Sequence, residues 1–192
     1  MAKRILLALL GLGLLSLAAG LAGLAVFTDS ASVGSNTFST GSVDINTAPT
    51  SALVTFSGMV PGDAVTNPLV VSNDGTMELR YATSSSATNA DGLGLKDALT
   101  LTIKTIDVTT PGTPCDNFDG TQLYTGDLDD GAGGRLVGDP TQGSQAGDRV
   151  LSASVSETLC FRVQLPSSAT GPSGASTTAT FTFDAEQTLN NP

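Results

Sequence analysis

The stretch "LCFRVQLP", residues 159–166, decides the fold class that this sequence predicts. Apolar and polar side chains alternate along it with a period of two, which is typical of a β-strand with one face in a core. The apolar set is Leu159, Phe161, Val163 and Leu165, and the set between them is Cys160, Arg162 and Gln164. The chain is therefore expected to contain at least one sheet that packs against a core.

The same alternation recurs along the chain. Strands are predicted at Met77–Tyr81, Leu99–Lys104 and Thr178–Ala185, with shorter ones at Ser42–Ile45, Ala52–Ser57, Pro68–Ser72 and Gln122–Tyr124. After Val26 only a weak helical pattern is found, between Ser84 and Ala98. Many short strands without alternating helices predict an all-β protein.

Turn residues separate these strands. "PGD" at Pro61–Asp63 predicts a type II turn, and "NDGT" at Asn73–Thr76 predicts a tight hairpin. Neighbouring strands are therefore expected to be mostly antiparallel. The predicted fold is an antiparallel β-sandwich or jelly roll, preceded by an N-terminal signal or apolar helix.

The composition limits the classes of function. The chain has 192 residues, with 18 Asp and Glu against 8 Lys and Arg, a net charge of −10. This length suits one core domain and a targeting segment. Nucleic acid is not an expected partner, because its phosphates would be repelled by the acidic chain.

An apolar run without charge, Ile5 to Val26, follows Lys3 and Arg4 at the start of the chain. By its length the run suits a secretory signal peptide or a membrane anchor. We favour a signal peptide because the run is rich in Gly and Ala. The chain is then exported, and it contacts the membrane only while the signal is uncleaved.

The preferred cleavage site lies between Ala25 and Val26, with Gly23 as the small residue at −3. A cut after Ala22 stays open. The predicted organisation is a signal peptide at residues 1–25 and a single β-sandwich domain at residues 26–192. Loss of the two leading basic residues leaves six basic and 18 acidic side chains, a net charge of −12.

Cys115 and Cys160 are the two cysteines of the sequence. In an exported chain one pair is most simply interpreted as a disulfide. Two unpaired buried thiols are the alternative.

Residues 109–149 interrupt the strand pattern with Gly, Asp and Pro, which predicts a long acidic surface excursion. Closely spaced carboxylates beside Gly make weak calcium candidates of Asp116, Asp119, Asp127, Asp129 and Asp130. The spacing of an EF-hand is absent, because Gly138 stands where its last carboxylate would be. A solvated acidic loop is the favoured alternative, and no other cofactor is predicted.

Catalysis is not expected. The sequence contains no His, which excludes an HExxH zinc site and a Ser–His triad. The acids lie mainly in predicted loops, and the chain has no Trp to stack on a sugar, so a glycosidase is also disfavoured. We therefore predict a protein that is not an enzyme and has no catalytic residues.

Four segments carry a resemblance to a known family: "AVFTDSASVGSNTFSTGSVDI" (25–45), "VTFSGMVPGDAVTNPLVVSNDGTMELRY" (54–81), "LCFRVQLP" (159–166) and "ATFTFDAEQTLNNP" (179–192). With the long apolar start, they resemble in order the TasA and camelysin family of exported proteins. In that family a SipW-type signal peptidase removes the signal. The resemblance covers both ends of the chain.

The resemblance implies a jelly-roll sandwich and assembly into fibres of a biofilm matrix or cell surface. The implied partners are further copies of the chain, joined head to tail, and related matrix subunits. Camelysin is itself classed as a metallopeptidase, but a chain without His is poorly suited to that chemistry. A structural subunit is therefore expected.

In fibre-forming members, the segment after the cleavage site is a donor strand that completes the sheet of the next subunit. Here the resemblance assigns this role to Val26 to about Phe38, with Phe27, Val33 and Phe38 as its larger apolar side chains. Phe38 has the opposite parity to the other two, which predicts a kink near Gly34 or partial insertion.

A leading strand that pairs within its own domain is the alternative. The protein would then be a monomeric surface module for adhesion or ligand binding.

Overall fold

The computed structural model describes residues 3–5, 7, 39–51, 53–54, 57–129, 134–170 and 173–191. The chain divides into two units, Met1–Ser39 and Thr40–Pro192. In the first unit, Lys3–Ile5 and Leu7 are helical and exposed. In these described stretches, no helix has the length and apolar character needed to cross a membrane.

The described part of the second unit contains nine strands and one short helix. They are β1 (Ile45–Ala48), β2 (Ala64–Asn73), β3 (Leu79–Ala87), α1 (Leu95–Ala98), β4 (Thr100–Thr105), β5 (Gln122–Asp127), β6 (Arg135–Val137), β7 (Arg149–Leu151), β8 (Ser156–Gln164) and β9 (Ala179–Gln187). Every ladder between them is antiparallel. The all-β class predicted from the alternation is therefore confirmed.

The first sheet has five strands in the order β1-β2-β8-β4-β5. Its central strand β8 contains most of the stretch that predicted the fold, and it pairs with β2 on one side and β4 on the other. Leu159 and Phe161 of β8 are fully buried, and Val163 is nearly so. Alternation places Cys160 and Arg162 on the opposite, outer face of this sheet.

The second sheet is built around β3. Strand β9 pairs with β3 over nine residue pairs, while β6 and β7 share its other edge. Leu79 and Tyr81 of β3 face the first sheet and are buried. The core between the sheets is apolar: Leu69, Val71, Leu99, Leu101, Ile103, Leu128, Leu136, Val137, Leu151 and Leu165 complete it. Burial of this apolar surface is the main term that favours the fold.

The predicted type II turn at Pro61–Asp63 is confirmed. The amide of Asp63 donates to the Val60 carbonyl over 3.0 Å, and Gly62 has a φ of 104°. This backbone conformation is open to Gly and costly for other residues. The turn is also hydrogen-bonded to the end of the stretch 159–166, because the Gly62 amide donates to the Leu165 carbonyl at 2.8 Å.

The hairpin predicted at Asn73–Thr76 is wrong. Strands β2 and β3, which flank this turn, belong to different sheets. The reason is the side chain of Asn73, which is 1% exposed. Its hydrogen bonds stand in place of the backbone bonds that would join the two strands of a hairpin. Its Nδ2 donates to the carbonyls of Met77 (2.8 Å) and Leu151 (3.0 Å), and its Oδ1 accepts from the Gly75 amide (3.0 Å).

The residues before β1 contact the connection between β2 and β3. The amides of Thr76 and Met77 donate to the Ser42 carbonyl, and the Asp74 amide donates to the Asp44 carbonyl at 2.8 Å. A Cβ on Gly75 would lie 2.4 Å from the Ser42 carbonyl oxygen, so this approach requires Gly. From Ser42 onward, the chain is therefore tied to its own sandwich.

Replacing Asn73 by Ala should lower the free energy of unfolding by about 2 to 3 kcal/mol, because two buried carbonyls and one amide lose their partner. Denaturant titration measures the loss. The matched control is Asn46→Ala, which removes an exposed amide that donates to Asp74 at 3.2 Å; it should cost less than about 1 kcal/mol. Equal losses in the two variants would contradict the role given to Asn73.

Candidate functional site

In the part of the chain that the structure describes, the two sheets do not meet along one side of the sandwich. Strand β1 is the edge of the first sheet and pairs there with β2, and β9 is the edge of the second sheet and pairs with β3. Among the described strands, neither has a second ladder partner. Between them lies a groove of about 310 Å³, lined by Ile45, Asn46, Thr47, Phe181, Thr182 and Phe183. We call this the β1–β9 groove.

The groove exposes side chains that belong to the core. Phe181 packs edge-on against Phe161 with ring centres 5.1 Å apart, and Phe183 lies 6.0 Å from the ring of Tyr81. Both phenylalanines are only half-buried, although they contact the core cluster. On the facing strand, Ile45 is half-buried in the same way. The core is therefore incompletely covered along this side.

The opposite side of the sandwich is closed. There β5 packs beside β6 of the second sheet. Leu128, which follows β5, is buried, and its carbonyl accepts a hydrogen bond of 2.7 Å from the Ser85 hydroxyl of β3. The Ser85 amide donates to the Gly134 carbonyl at 2.6 Å. This contrast identifies the β1–β9 side as the place where a further strand could add.

A partly buried polar cluster joins the two sheets. The Tyr81 hydroxyl donates to Glu157 Oε1 at 2.8 Å, and Arg149 forms an ion pair with the same carboxylate. Burial, followed by the charge of Glu157, raises the pKa of Tyr81 far above its ordinary value. Val71 of β2 pairs with Glu157 of β8 on one side and with Thr47 of β1 on the other. The cluster therefore holds the sheets together in the row that contains Thr47.

The predicted disulfide between Cys115 and Cys160 is confirmed, and it anchors the start of the acidic excursion to the outer face of β8. Phe118 of this loop is buried in a small cluster with the two cysteines. Two cations contact its ring: Lys104 Nζ is 4.7 Å and Arg162 Cζ is 3.9 Å from the ring centre. The loop is thus held by a covalent bond and by cation–π contacts.

Comparison with known families decides the affiliation of the chain. Residues 1–110 match the family described as camelysin metallo-endopeptidase. The chain belongs to the camelysin family. A comparison with curated proteins finds no match. The resemblance drawn from the sequence is therefore confirmed at the level of the family.

The camelysin description implies a metal ion and peptide hydrolysis, and the residues of this chain do not fit a zinc site. Zinc in proteases is held mainly by His, which this sequence lacks, and both cysteines form the disulfide. In the described stretches, no three acidic or cysteine side chains are grouped to hold a metal. No hydrolytic step can be assigned to them.

The calcium candidates are distributed over two places. Asp119 braces its own loop, accepting from the Val108 amide (2.9 Å) and the Thr109 hydroxyl (2.5 Å), and these bonds lower its pKa. Asp129 is paired with Lys96 at 3.0 Å. Asp116 and Asp127 are exposed, and Asp130 lies outside the described residues. Two of the five candidates therefore already bind protein groups.

The remaining predicted site residues lie outside the described part of the chain. They are the cleavage site at Ala25 and Val26 and the donor residues Phe27, Val33 and Phe38. Conversely, sequence reasoning missed the groove residues. The alternation of Phe181 and Phe183 predicted a strand, but no signal in the sequence marks that strand as an open edge.

Removing the disulfide should destabilise the sandwich. The variant Cys115→Ala/Cys160→Ala is expected to lose about 4 kcal/mol of unfolding free energy, because the bond closes a loop across a sequence separation of 45. Denaturant titration with and without a reductant measures this. The reductant should lower the stability of the native protein and leave the variant unchanged; a loss below about 1 kcal/mol would contradict the bracing role.

Proposed function

We propose that this camelysin-family chain is an exported structural subunit that polymerises by strand donation. The leading segment of one processed copy would enter the β1–β9 groove of the next. The observation that carries this proposal is the open side of the sandwich, where two edge strands flank half-buried core phenylalanines. An edge strand with unpaired N–H and C=O groups favours the addition of another strand.

The length of β9 suits an added strand. Its nine residues form one ladder with β3. Its core-facing side chains alternate with the exposed Thr180, Thr182 and Asp184. A strand that pairs with the free edge of β9 would lie against Ile45 and Thr47 of β1. It would cover the exposed parts of Phe181 and Phe183, which contributes on the order of 1 kcal/mol for each ring.

The donor must come from residues that precede the paired chain. Since Ser42 and Asp44 are hydrogen-bonded to the turn after β2, and β1 is paired with β2, this part stays with its own sandwich. Residues 26–38 are the apolar-containing stretch before it, with Phe27, Val33 and Phe38. Signal cleavage between Ala25 and Val26 would free this segment.

Insertion into a different copy would link subunits head to tail into an open filament. The proposed location is the extracellular matrix or the cell surface, with the membrane contacted only through an uncleaved signal. Further copies, related matrix subunits and the signal peptidase are the proposed partners, and nucleic acid is not among them. The proposed role needs no catalytic residue and no cofactor.

A charge placed on the groove wall should block assembly. Thr47→Lys introduces a cation at a half-buried groove position, so we expect the processed protein to stay folded and to form no filaments in electron micrographs. Thr180→Lys is the matched control, because it makes the same exchange on the exposed outer face of β9. Circular dichroism and thermal unfolding check the fold of both variants.

Competition by the donor gives a second measurement. A synthetic peptide with the sequence of residues 26–38, added in excess, should cap the growth of native filaments, and a scrambled peptide should not. Filaments of Thr47→Lys that equal the native ones would refute insertion at the β1–β9 groove, and processed protein that stays monomeric in every condition would refute the polymer. The second result would leave a monomeric surface module.

Filament growth should also depend on salt. The processed chain carries a net charge of −12 by its composition, so copies repel one another. The Debye length falls from about 30 Å at 0.01 M salt to about 8 Å at 0.15 M. Light scattering should therefore show faster growth at the higher salt concentration. A rate that is independent of salt would mean that this repulsion does not limit assembly.

A further inference from the structure

Basic side chains are scarce in the sandwich, and most are neutralised. Of the six Lys and Arg between Thr40 and Pro192, four form ion pairs with carboxylates: Arg80 with Glu186, Lys96 with Asp97 and Asp129, Arg135 with Asp139, and Arg149 with Glu157. In the described part of this unit, Lys104 and Arg162 have no carboxylate partner. We call these two residues the cation pair.

The cation pair lies on the outer face of the first sheet. Arg162 is fixed there by its stack on Phe118 and by a hydrogen bond of 2.9 Å from Nε to the Thr66 hydroxyl. Lys104 Nζ donates to the Phe118 carbonyl at 2.9 Å. The Nη groups of Arg162 have no acceptor among the described residues. A half-exposed guanidinium that is already held in place suits a carboxylate, which accepts two parallel N–H bonds.

The outer face of the second sheet carries acidic side chains, whose charge is opposite to that of the cation pair. A cavity of about 250 Å³ lies there, lined among others by Asp139, Asp148, Asp184 and Glu186. Three of these carboxylates are occupied. Glu186 pairs with Arg80 and accepts from the Gly143 amide, Asp139 pairs with Arg135, and Asp148 accepts the amides of Asp139 and Gln145.

Asp184 is the unoccupied acid of this cavity. It is exposed on β9, between the core-facing Phe183 and Ala185, so it projects from the outer face of the second sheet. It forms no ion pair with any described residue. By contrast, the ion pair with Arg80, with further bonds from Asn191 and Gly143, lowers the pKa of Glu186. Asp184 is therefore the carboxylate that remains available to another molecule.

We propose that Arg162 of one copy of the chain binds Asp184 of a second copy, so that the first sheet of one sandwich docks on the second sheet of the other. Charge complementarity selects the second copy as the occupant, because each copy carries both the free guanidinium and the free carboxylate. The two groups lie on opposite faces, so the contact is heterologous and can repeat. It uses the faces of the sheets, whereas strand donation uses their edges; the two contacts are independent.

Charge exchange tests the pair. In the processed full-length protein, Arg162→Asp and Asp184→Arg should each weaken association through the faces by about tenfold, because each places like charges in contact. The double variant Arg162→Asp/Asp184→Arg should restore it to near the native value. Analytical ultracentrifugation measures the association of non-filamentous protein, and electron microscopy measures side-by-side pairing of filaments.

Asp97→Arg is the control, since it makes the same charge change at an acid of α1 that is 59% exposed; it should leave association unchanged. Thermal unfolding shows whether Arg162→Asp has released the Phe118 loop, and Asp184→Arg tests the contact without touching that loop. Native association that Asp184→Arg does not weaken, a double variant without recovery, or a native protein with no side-by-side association would each overturn the proposal. Single filaments without pairing would refute this contact alone, and paired monomers without filaments would refute strand donation alone.

Discussion

The backbone of an edge strand must find hydrogen-bond partners or face water, and this constraint organises the sandwich. On the β5–β6 side the chain meets it internally, since the segment after β5 packs against β3 and buries Leu128. On the β1–β9 side the described strands of the two sheets end without meeting, and Phe181 and Phe183 stay half-exposed. The asymmetry between these sides is the basis on which strand donation is proposed.

A few polar connections hold the two sheets together in addition to the apolar core, and a disulfide ties a loop to the first sheet. Asn73 carries the chain from one sheet to the other with three side-chain bonds, and the Tyr81 hydroxyl reaches Glu157 in the facing sheet. The disulfide from Cys115 fixes the acidic excursion to β8. Because these connections are internal to the subunit, the proposed polymer would not depend on an added strand for the stability of each sandwich.

Membership in the camelysin family extends over residues 1–110, which include β1 to β4. The family description refers to a metallo-endopeptidase, but the residues of this chain do not fit a zinc site. The sequence has no His, both cysteines form one disulfide, and described carboxylates such as Glu186, Asp139 and Asp119 pair with cations or brace loops. A shared fold does not by itself determine the chemistry of a site. The informative features are therefore the edges and faces of the sheets.

Alternation along the chain predicted β3, β4, β8 and β9, because a period of two reports which face of a strand is buried. It missed β6 and β7, whose three residues each are too few to show a period. It also assigned a weak helix from Ser84, where β3 continues to Ala87 and α1 begins only at Leu95. The disulfide followed from cysteine count and export, and the structure contains it.

The sequence by itself determined the class of the fold, the scarcity of positive charge and the absence of a histidine-based site, because composition and periodicity are properties of single residues and near neighbours. Only the tertiary structure decided which strands are edges, that β2 and β3 belong to different sheets, and that Phe181 and Phe183 line a groove. Such features depend on which distant segments meet. A side chain such as Asn73 can redirect the chain between sheets, and nothing in the local pattern distinguishes that role from a hairpin.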